Sequence, residues 1–285
     1  MRSAEWLTPR SGTGAAHSAF HIPHSAFHQT LHGAVSCVGM PRSSTPRAAK
    51  PKSARSFTRR LLAWYGRAAR DLPWRRTRDP YRVLVSEFML QQTQVSRVRE
   101  FYPRFLARFP TVRALARAKP AAVREEWEGL GYYARATNIH ALARVVSREY
   151  GGRLPSEPEA LRELPGIGPY TAGAVAAFAY ERPVAAVDTN VARVIRRVFF
   201  GEWGVGSGTI GEKKAWELAG QIVPKNGKRA WKFNQAMMEL GALVCRARTP
   251  LCRECPVRQE CRTGRRLGRR LDGQTDRQTA RRRDG

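Results

Sequence analysis

Glu87 and Asp188 are the carboxylates best placed to do chemistry. Leu84, Phe88, Val95 and Val98 recur at helical spacing, which sets Glu87 and Gln91 beside an apolar stripe rather than opposite it. A carboxyl so placed is desolvated and tends to keep its proton. Asp188 stands where the N-cap of the next helix is expected, a position that stabilises the carboxylate anion. Eighteen residues before it, Tyr170 follows Leu164-Pro-Gly-Ile-Gly-Pro. Gly166 and Gly168 flank one apolar residue, so the backbone can turn sharply with its N–H groups uncovered, and Pro169 takes the first helical position. Bare N–H groups feeding a helix N-terminus attract a phosphate. The helix after them is rich in Ala and Gly, which would let another backbone, such as DNA, come close. Taken singly, each feature is an ordinary turn or cap; what turns the reading towards a site is the rest of the chain.

A second constellation lies further on. Cys245, Cys252, Cys255 and Cys261 follow the spacing C-x6-C-x2-C-x5-C, with Pro250 and Pro256 bending the loops. Four thiolates in a compact loop after a helix imply a metal site. Structural zinc favours two separated C-x2-C pairs and only one is present, so the spacing leans to a [4Fe–4S] cluster while leaving zinc open. Arg246 and Arg248 sit in the loop closed by the first two ligands, either aimed at a phosphate or merely solvated.

The elements that must position these groups read as helices throughout. Phe57, Leu61, Leu62, Trp64 and Tyr65 make a helical face, and further helices are expected near 100–109, 111–118, 120–128, 134–150, 190–199, 212–223 and 230–244. No strand pattern competes with them. Gly129-Leu-Gly-Tyr-Tyr-Ala-Arg135 is a Gly-rich turn with two adjacent aromatics; on a basic background one of them could wedge between bases. The chain of 285 residues carries a formal charge of +28, and residues 61–261 alone hold 33 basic against 19 acidic side chains. That excess points to a polyanionic partner such as nucleic acid. No apolar run approaches a membrane span. Residues 1–55 read as a disordered leader containing the repeat His17-Ser-Ala-Phe-His21 and His24-Ser-Ala-Phe-His28, the lone Cys37, and Met40 as a possible true start. Residues 263–285 read as a disordered basic tail.

Taken together, these motifs resemble the MutY-type adenine DNA glycosylases of the helix-hairpin-helix superfamily that also contains endonuclease III. The resemblance covers Ser56 to Cys261 and rests on Leu72-Pro-Trp-Arg75, Ser86-Glu-Phe-Met-Leu-Gln-Gln-Thr-Gln94, Gly129 to Arg135, Leu164 to Gly168, Val187-Asp-Thr-Asn190, Phe233-Asn-Gln-Ala-Met-Met-Glu-Leu-Gly241 and the cysteine spacing. It implies an all-α, two-lobed helix-hairpin-helix glycosylase fold: a six-helix barrel over 72–182, and a [4Fe–4S] lobe from 56–71 and 183–262. It implies that Glu87 protonates N7 of an extruded adenine, and that Asp188 stabilises the oxocarbenium-like sugar with Tyr170 and Asn190 assisting. Gln92 and Tyr132 match residues inserted around the base opposite. Arg75, Gln91, Thr93, Gly166, Gly168, Arg246 and Arg248 are expected to face the DNA. The resemblance also decides the metal question for [4Fe–4S], held by Cys245, Cys252, Cys255 and Cys261.

The expected partner is double-stranded DNA with a mispaired adenine, bound by a monomer away from membranes, in a cytoplasmic, nucleoid-associated setting without organelle targeting. Endonuclease III-type enzymes carry a lysine where this chain has Tyr170, so a monofunctional glycosylase is expected. Family members usually add a NUDIX-like domain that helps recognise 8-oxoguanine, and the short basic stretch after the cysteines is not expected to form one. That leaves the preference for 8-oxoguanine:adenine over guanine:adenine open. Two rivals remain: a mismatch thymine or uracil glycosylase of the same superfamily, and a non-catalytic iron–sulfur DNA-binding protein.

Overall fold

The computed structural model describes residues 51, 53–202 and 211–266. The histidine repeat, Cys37, Met40, most of the glycine-rich connector and the last 19 residues lie outside the described residues. Eleven helices form, with no strand among the described residues: α1 (Ala54–Ala68), α2 (Pro80–Leu90), α3 (Val95–Arg108), α4 (Val112–Arg117), α5 (Pro120–Glu126), α6 (Ala134–Glu149), α7 (Pro158–Arg162), α8 (Pro169–Ala179), α9 (Thr189–Ile195), α10 (Glu212–Ile222) and α11 (Gly227–Glu239). A 3-10 turn at Pro73–Arg75 precedes α2, and π-helical turns extend α9 (Arg196–Phe200) and α11 (Leu240–Val244).

Local chemistry sets the helix starts. Proline opens α2, α5, α7 and α8, where its missing N–H has no intrahelical role. Asp79, Thr111, Asp188 and Asn226 cap their helices, each side chain accepting a backbone N–H of the first turn. The sequence-predicted helix near 190–199 forms but ends in a π turn, and the one expected near 230–244 starts earlier, at Gly227, and also ends in a π turn.

Two apolar cores result. The first runs from Leu72 to Ala186 and centres on Phe88, Phe105, Trp127, Ile139, Leu142 and Leu161, all nearly or fully buried. The second joins α1 to residues after Val187, with Phe57 set edge-on against Phe199 at 5.1 Å and Phe233 at 6.5 Å. Burying one such side chain stabilises by roughly 1.5–3 kcal/mol.

Three expectations need correcting. The helical spacing across 84–98 is interrupted: α2 stops at Leu90, Gln92 takes φ 54°, and α3 starts at Val95. The Ala- and Gly-rich α8 is not open to an approaching nucleic acid, because Thr171 through Phe178 are buried. A Cβ on Gly173 would stand 2.5 Å from the Ala185 carbonyl oxygen, so the backbone that comes close is the chain's own. Finally, order continues past 262: residues 262–266 are helical, with Thr263 buried and donating its hydroxyl to the Arg197 carbonyl at 2.9 Å.

Candidate active site

Glu87 lies on α2 between Val83–Ser86 and Phe88, every one of them buried, and is itself 4% exposed. Its Oε2 accepts the hydroxyl proton of Tyr170, from the first turn of α8, at 2.8 Å. Burial pushes the Glu87 carboxyl up to about 7 and the negative charge of Asp188 pushes the same way, against the Tyr170 hydrogen bond and the charge of Arg75. Glu87 can therefore still hold a proton near neutral pH. Burial and the two neighbouring carboxylates hold Tyr170 well above the usual phenol range, so it stays a neutral donor.

Asp188 is half-buried at the start of α9. Its Oδ1 accepts the Val191 N–H at 2.7 Å and its Oδ2 accepts the Asn190 side-chain amide at 2.9 Å. Both bonds fix the direction of the carboxyl group. Asn190 Oδ1 in turn accepts from Arg193 at 2.8 Å, and Arg193 also donates to the carbonyls of Gly241 and Cys245, both at 2.9 Å. One buried guanidinium thus spans from the Asp188 partner to the cysteine loop. Sequence reasoning gave Arg193 and Arg197 no role; in so arginine-rich a chain nothing local marks a structural arginine.

The remaining sequence-predicted residues fall into groups. Gly166 and Gly168 are exposed at the start of α8, just before Tyr170. Gly166 needs its φ of 76°, whereas Gly168 has an ordinary backbone and would gain a Cβ in open space. Gln91 is held near Thr171 at 3.5 Å, and Gln92 is exposed. Tyr132 is 60% exposed with φ 49°. Thr93 spends its hydroxyl internally, accepting from Arg135 at 3.1 Å and donating to the Gln91 carbonyl at 3.3 Å. Arg75 is corrected. Its side chain is 10% exposed and paired with the fully buried Glu239, so it is an internal charge beside Glu87 rather than an open phosphate ligand. Glu239, which Arg70 also contacts at 2.8 Å, was missed in the sequence.

Cys245, Cys252, Cys255 and Cys261 are all unpaired and line one cavity with Val198, Leu240, Val244 and Val257. The loop is fastened by Arg197, which donates to the carbonyls of Arg246 at 2.6 Å and Ala247 at 2.7 Å. Gly264 gives its N–H to the Cys261 sulfur at 3.2 Å. Among the described residues no three metal-binding side chains converge tightly enough for a single ion. Four unpaired thiols around one apolar cavity are a donor set that suits a bound metal centre, zinc or iron–sulfur alike. Arg246 and Arg248 are exposed on this loop.

The site defines a helical protein in which a buried carboxyl is hydrogen-bonded from the first turn after a glycine hairpin and feels the charge of an N-capping carboxylate. Comparison with known proteins gives the class a family. Residues 85–219 match the HhH-GPD superfamily base excision DNA repair protein. The thymine-DNA glycosylase of Aeropyrum pernix is 40% identical over 208 residues, 72% of this chain and 93% of that protein. A solved structure of a thermostable thymine-DNA glycosylase superposes with a TM-score of 0.69 at 33% identity, covering 75% of this chain and 98% of that one. The adenine DNA glycosylase of Rattus norvegicus is 43% identical over 224 residues, 74% of this chain and 42% of that protein. The chain thus spans less than half the length of that relative. It belongs to the HhH-GPD superfamily of base excision DNA repair proteins.

Proposed function

We propose that this chain is a monofunctional adenine DNA glycosylase, hydrolysing the N-glycosidic bond of adenine mispaired with 8-oxoguanine or guanine. One observation carries the reading: buried Glu87, hydrogen-bonded by Tyr170, shares a site with the N-capped carboxylate of Asp188. Two carboxyls with environments this different divide the acid and anion roles of glycosidic cleavage. Glu87 gives its proton to N7 of the extruded base, and the C1′–N9 electron pair leaves with the adenine. Asp188, steadied by Asn190, opposes the positive charge on the sugar; water then adds at C1′ and sheds a proton. Tyr170 orients the Glu87 carboxyl. It offers no amine for a Schiff base, so strand cleavage is not part of the reaction.

The similarity to adenine DNA glycosylases supports the choice of base. DNA is expected to bind a monomer between the two cores, its phosphate on the Gly166–Gly168 hairpin and on Arg246 and Arg248, with Gln92 and Tyr132 at the base opposite. Cys245, Cys252, Cys255 and Cys261 would hold a [4Fe–4S] cluster, which when bound cross-links the loop. Iron and acid-labile sulfide analysis is expected to give four of each per chain; stoichiometric zinc instead would overturn this assignment.

A second reading has its own support. The thymine-DNA glycosylase match covers nearly all of that relative, so excision of mispaired thymine or uracil is the alternative. Single-turnover base release from duplexes with 8-oxoguanine:A, G:A, G:T or G:U, alkali being added only afterwards, separates the two. Adenine release with breaks only after alkali is the expected result. Release of thymine or uracil alone would move the chain to the second reading, and no release from cluster-loaded protein would leave a DNA-binding role.

A further inference from the structure

Arg135, at the start of α6, is a cation buried to 6% exposure with no carboxylate among its hydrogen-bond partners. Its Nη1 donates to the carbonyls of Phe88 at 3.0 Å, Met89 at 2.8 Å and Gln91 at 2.6 Å, the orphan acceptors at the C-terminus of α2. Its Nη2 donates to Thr93 Oγ1 at 3.1 Å, Leu130 O at 3.1 Å and Gly131 O at 3.0 Å, and its Nε to Tyr132 O at 3.4 Å. The guanidinium also lies 5.4 Å from the Trp127 ring centroid and 5.5 Å from that of Tyr132.

These partners belong to two loops far apart in sequence. Each loop carries one exposed non-glycine residue in the left-handed region, Gln92 at φ 54° and Tyr132 at φ 49°; among the described non-glycine residues only Glu181 shares that conformation. Such backbone costs on the order of 1–3 kcal/mol and persists where its surroundings over-determine it. Here one planar fork of donors does so for both. A lysine, with three donors on a point charge, cannot reproduce the pattern.

We propose that Arg135 is a positioning residue that locks Gln92 and Tyr132 into one rigid two-pronged wedge, and that it governs extrusion of the target base rather than cleavage of its bond. The inference rests on the glycosylase reading above. The wedge is preorganised, so the enzyme does not order two loops at the moment of flipping.

The test compares wild type with Arg135→Lys on two substrates, adenine in the mispaired duplex and adenine in a three-nucleotide bulge, where it is already unstacked. Duplex carrying 2-aminopurine for the target adenine reports extrusion by its fluorescence. The expected result is a fall of about 100-fold in single-turnover release from the mispair, the scale of a 1 Å misplacement, with a smaller fluorescence rise and near-wild-type release from the bulge. Equal loss on both substrates, or none on the mispair, overturns the proposal. Should Arg135→Lys fail to fold, Gln92→Ala and Tyr132→Ala, alone and combined, decide in an otherwise native chain: strongly non-additive losses support one wedge, and simply additive ones refute it. A wild type that releases only thymine or uracil sinks the adenine reading, and the same ratio is then taken with that base. A wild type that releases no base sinks the glycosylase reading, and the 2-aminopurine signal then decides the wedge.

Discussion

Glu87 shows most directly how a folded chain sets aside stability for chemistry. Its carboxyl, ordinarily near 4.5, is pushed up to about 7 by burial among α2 and α8 side chains. If Glu87 is the acid proposed above it must be protonated to act, so single-turnover base release should fall as pH rises through about 7, approaching tenfold per unit. The stability contribution has the same sign. The protonated group is fully favourable below its unfolded value, and that stability is lost as pH rises from about 4.5 through about 7. Glu87→Gln keeps an acceptor for Tyr170 and cannot ionise. It should therefore be inactive in base release yet more stable than wild type at pH 8, by on the order of 3 kcal/mol. Denaturant titrations at pH 5 and pH 8 check this: a stability difference that does not grow with pH would mean that Glu87 is not strained by ionisation.

At the scale of elements, the glycine hairpin before α8 separates conformation from contact. Gly166→Ala forces a left-handed alanine whose Cβ stands 2.7 Å from that of Asn138, so a loss of about 1–2 kcal/mol in stability is expected. Gly168→Ala meets open space at an ordinary backbone, and its stability should stay within about 0.5 kcal/mol of wild type. If the hairpin holds a phosphate, Gly168→Ala still weakens binding of mispaired and matched DNA alike; titrations at several salt concentrations read this out, and unchanged affinity would remove the hairpin from the DNA contact. The hairpin, the Asp188 cap and the cysteine loop were legible because Gly, Pro, Asp and Cys carry their geometry in their chemistry. The break after α2 was not. Its left-handed residue is a glutamine, apolar spacing runs on across it, and the tie that holds it comes from Arg135, in another helix. The closeness of α8 to a backbone was legible too, but small side chains do not say whose backbone approaches, and Ala185 fills that place.

For the whole molecule, the question is how two cores hold one site. Glu87 and Tyr170 come from elements of the first core, whereas Asp188 caps α9 of the second. Glu239, on α11 and fully buried, reaches across to Arg70 and to Arg75, whose turn leads into the first core. Burial alone would push Glu239 up, but the hydrogen bonds and charges of Arg70 and Arg75 more than offset it and hold the carboxyl below its usual range. The same Arg75 charge opposes the protonation of Glu87. Glu239 therefore ties α11 to the Arg70 and Arg75 segment, and its negative charge lies against the cation that pulls on the proposed acid. Glu239→Gln should cost about 3–5 kcal/mol, as expected when a buried pair loses one partner. Arg75, then uncompensated, should draw the Glu87 carboxyl down, moving the alkaline fall in base release to lower pH. A purely mechanical joint predicts something else: a lower rate that tracks the folded fraction, with the pH midpoint where it was. Rate profiles from pH 5 to 9, taken at a temperature where both proteins remain folded, distinguish the two, and an unmoved midpoint would leave Glu239 a structural tie alone.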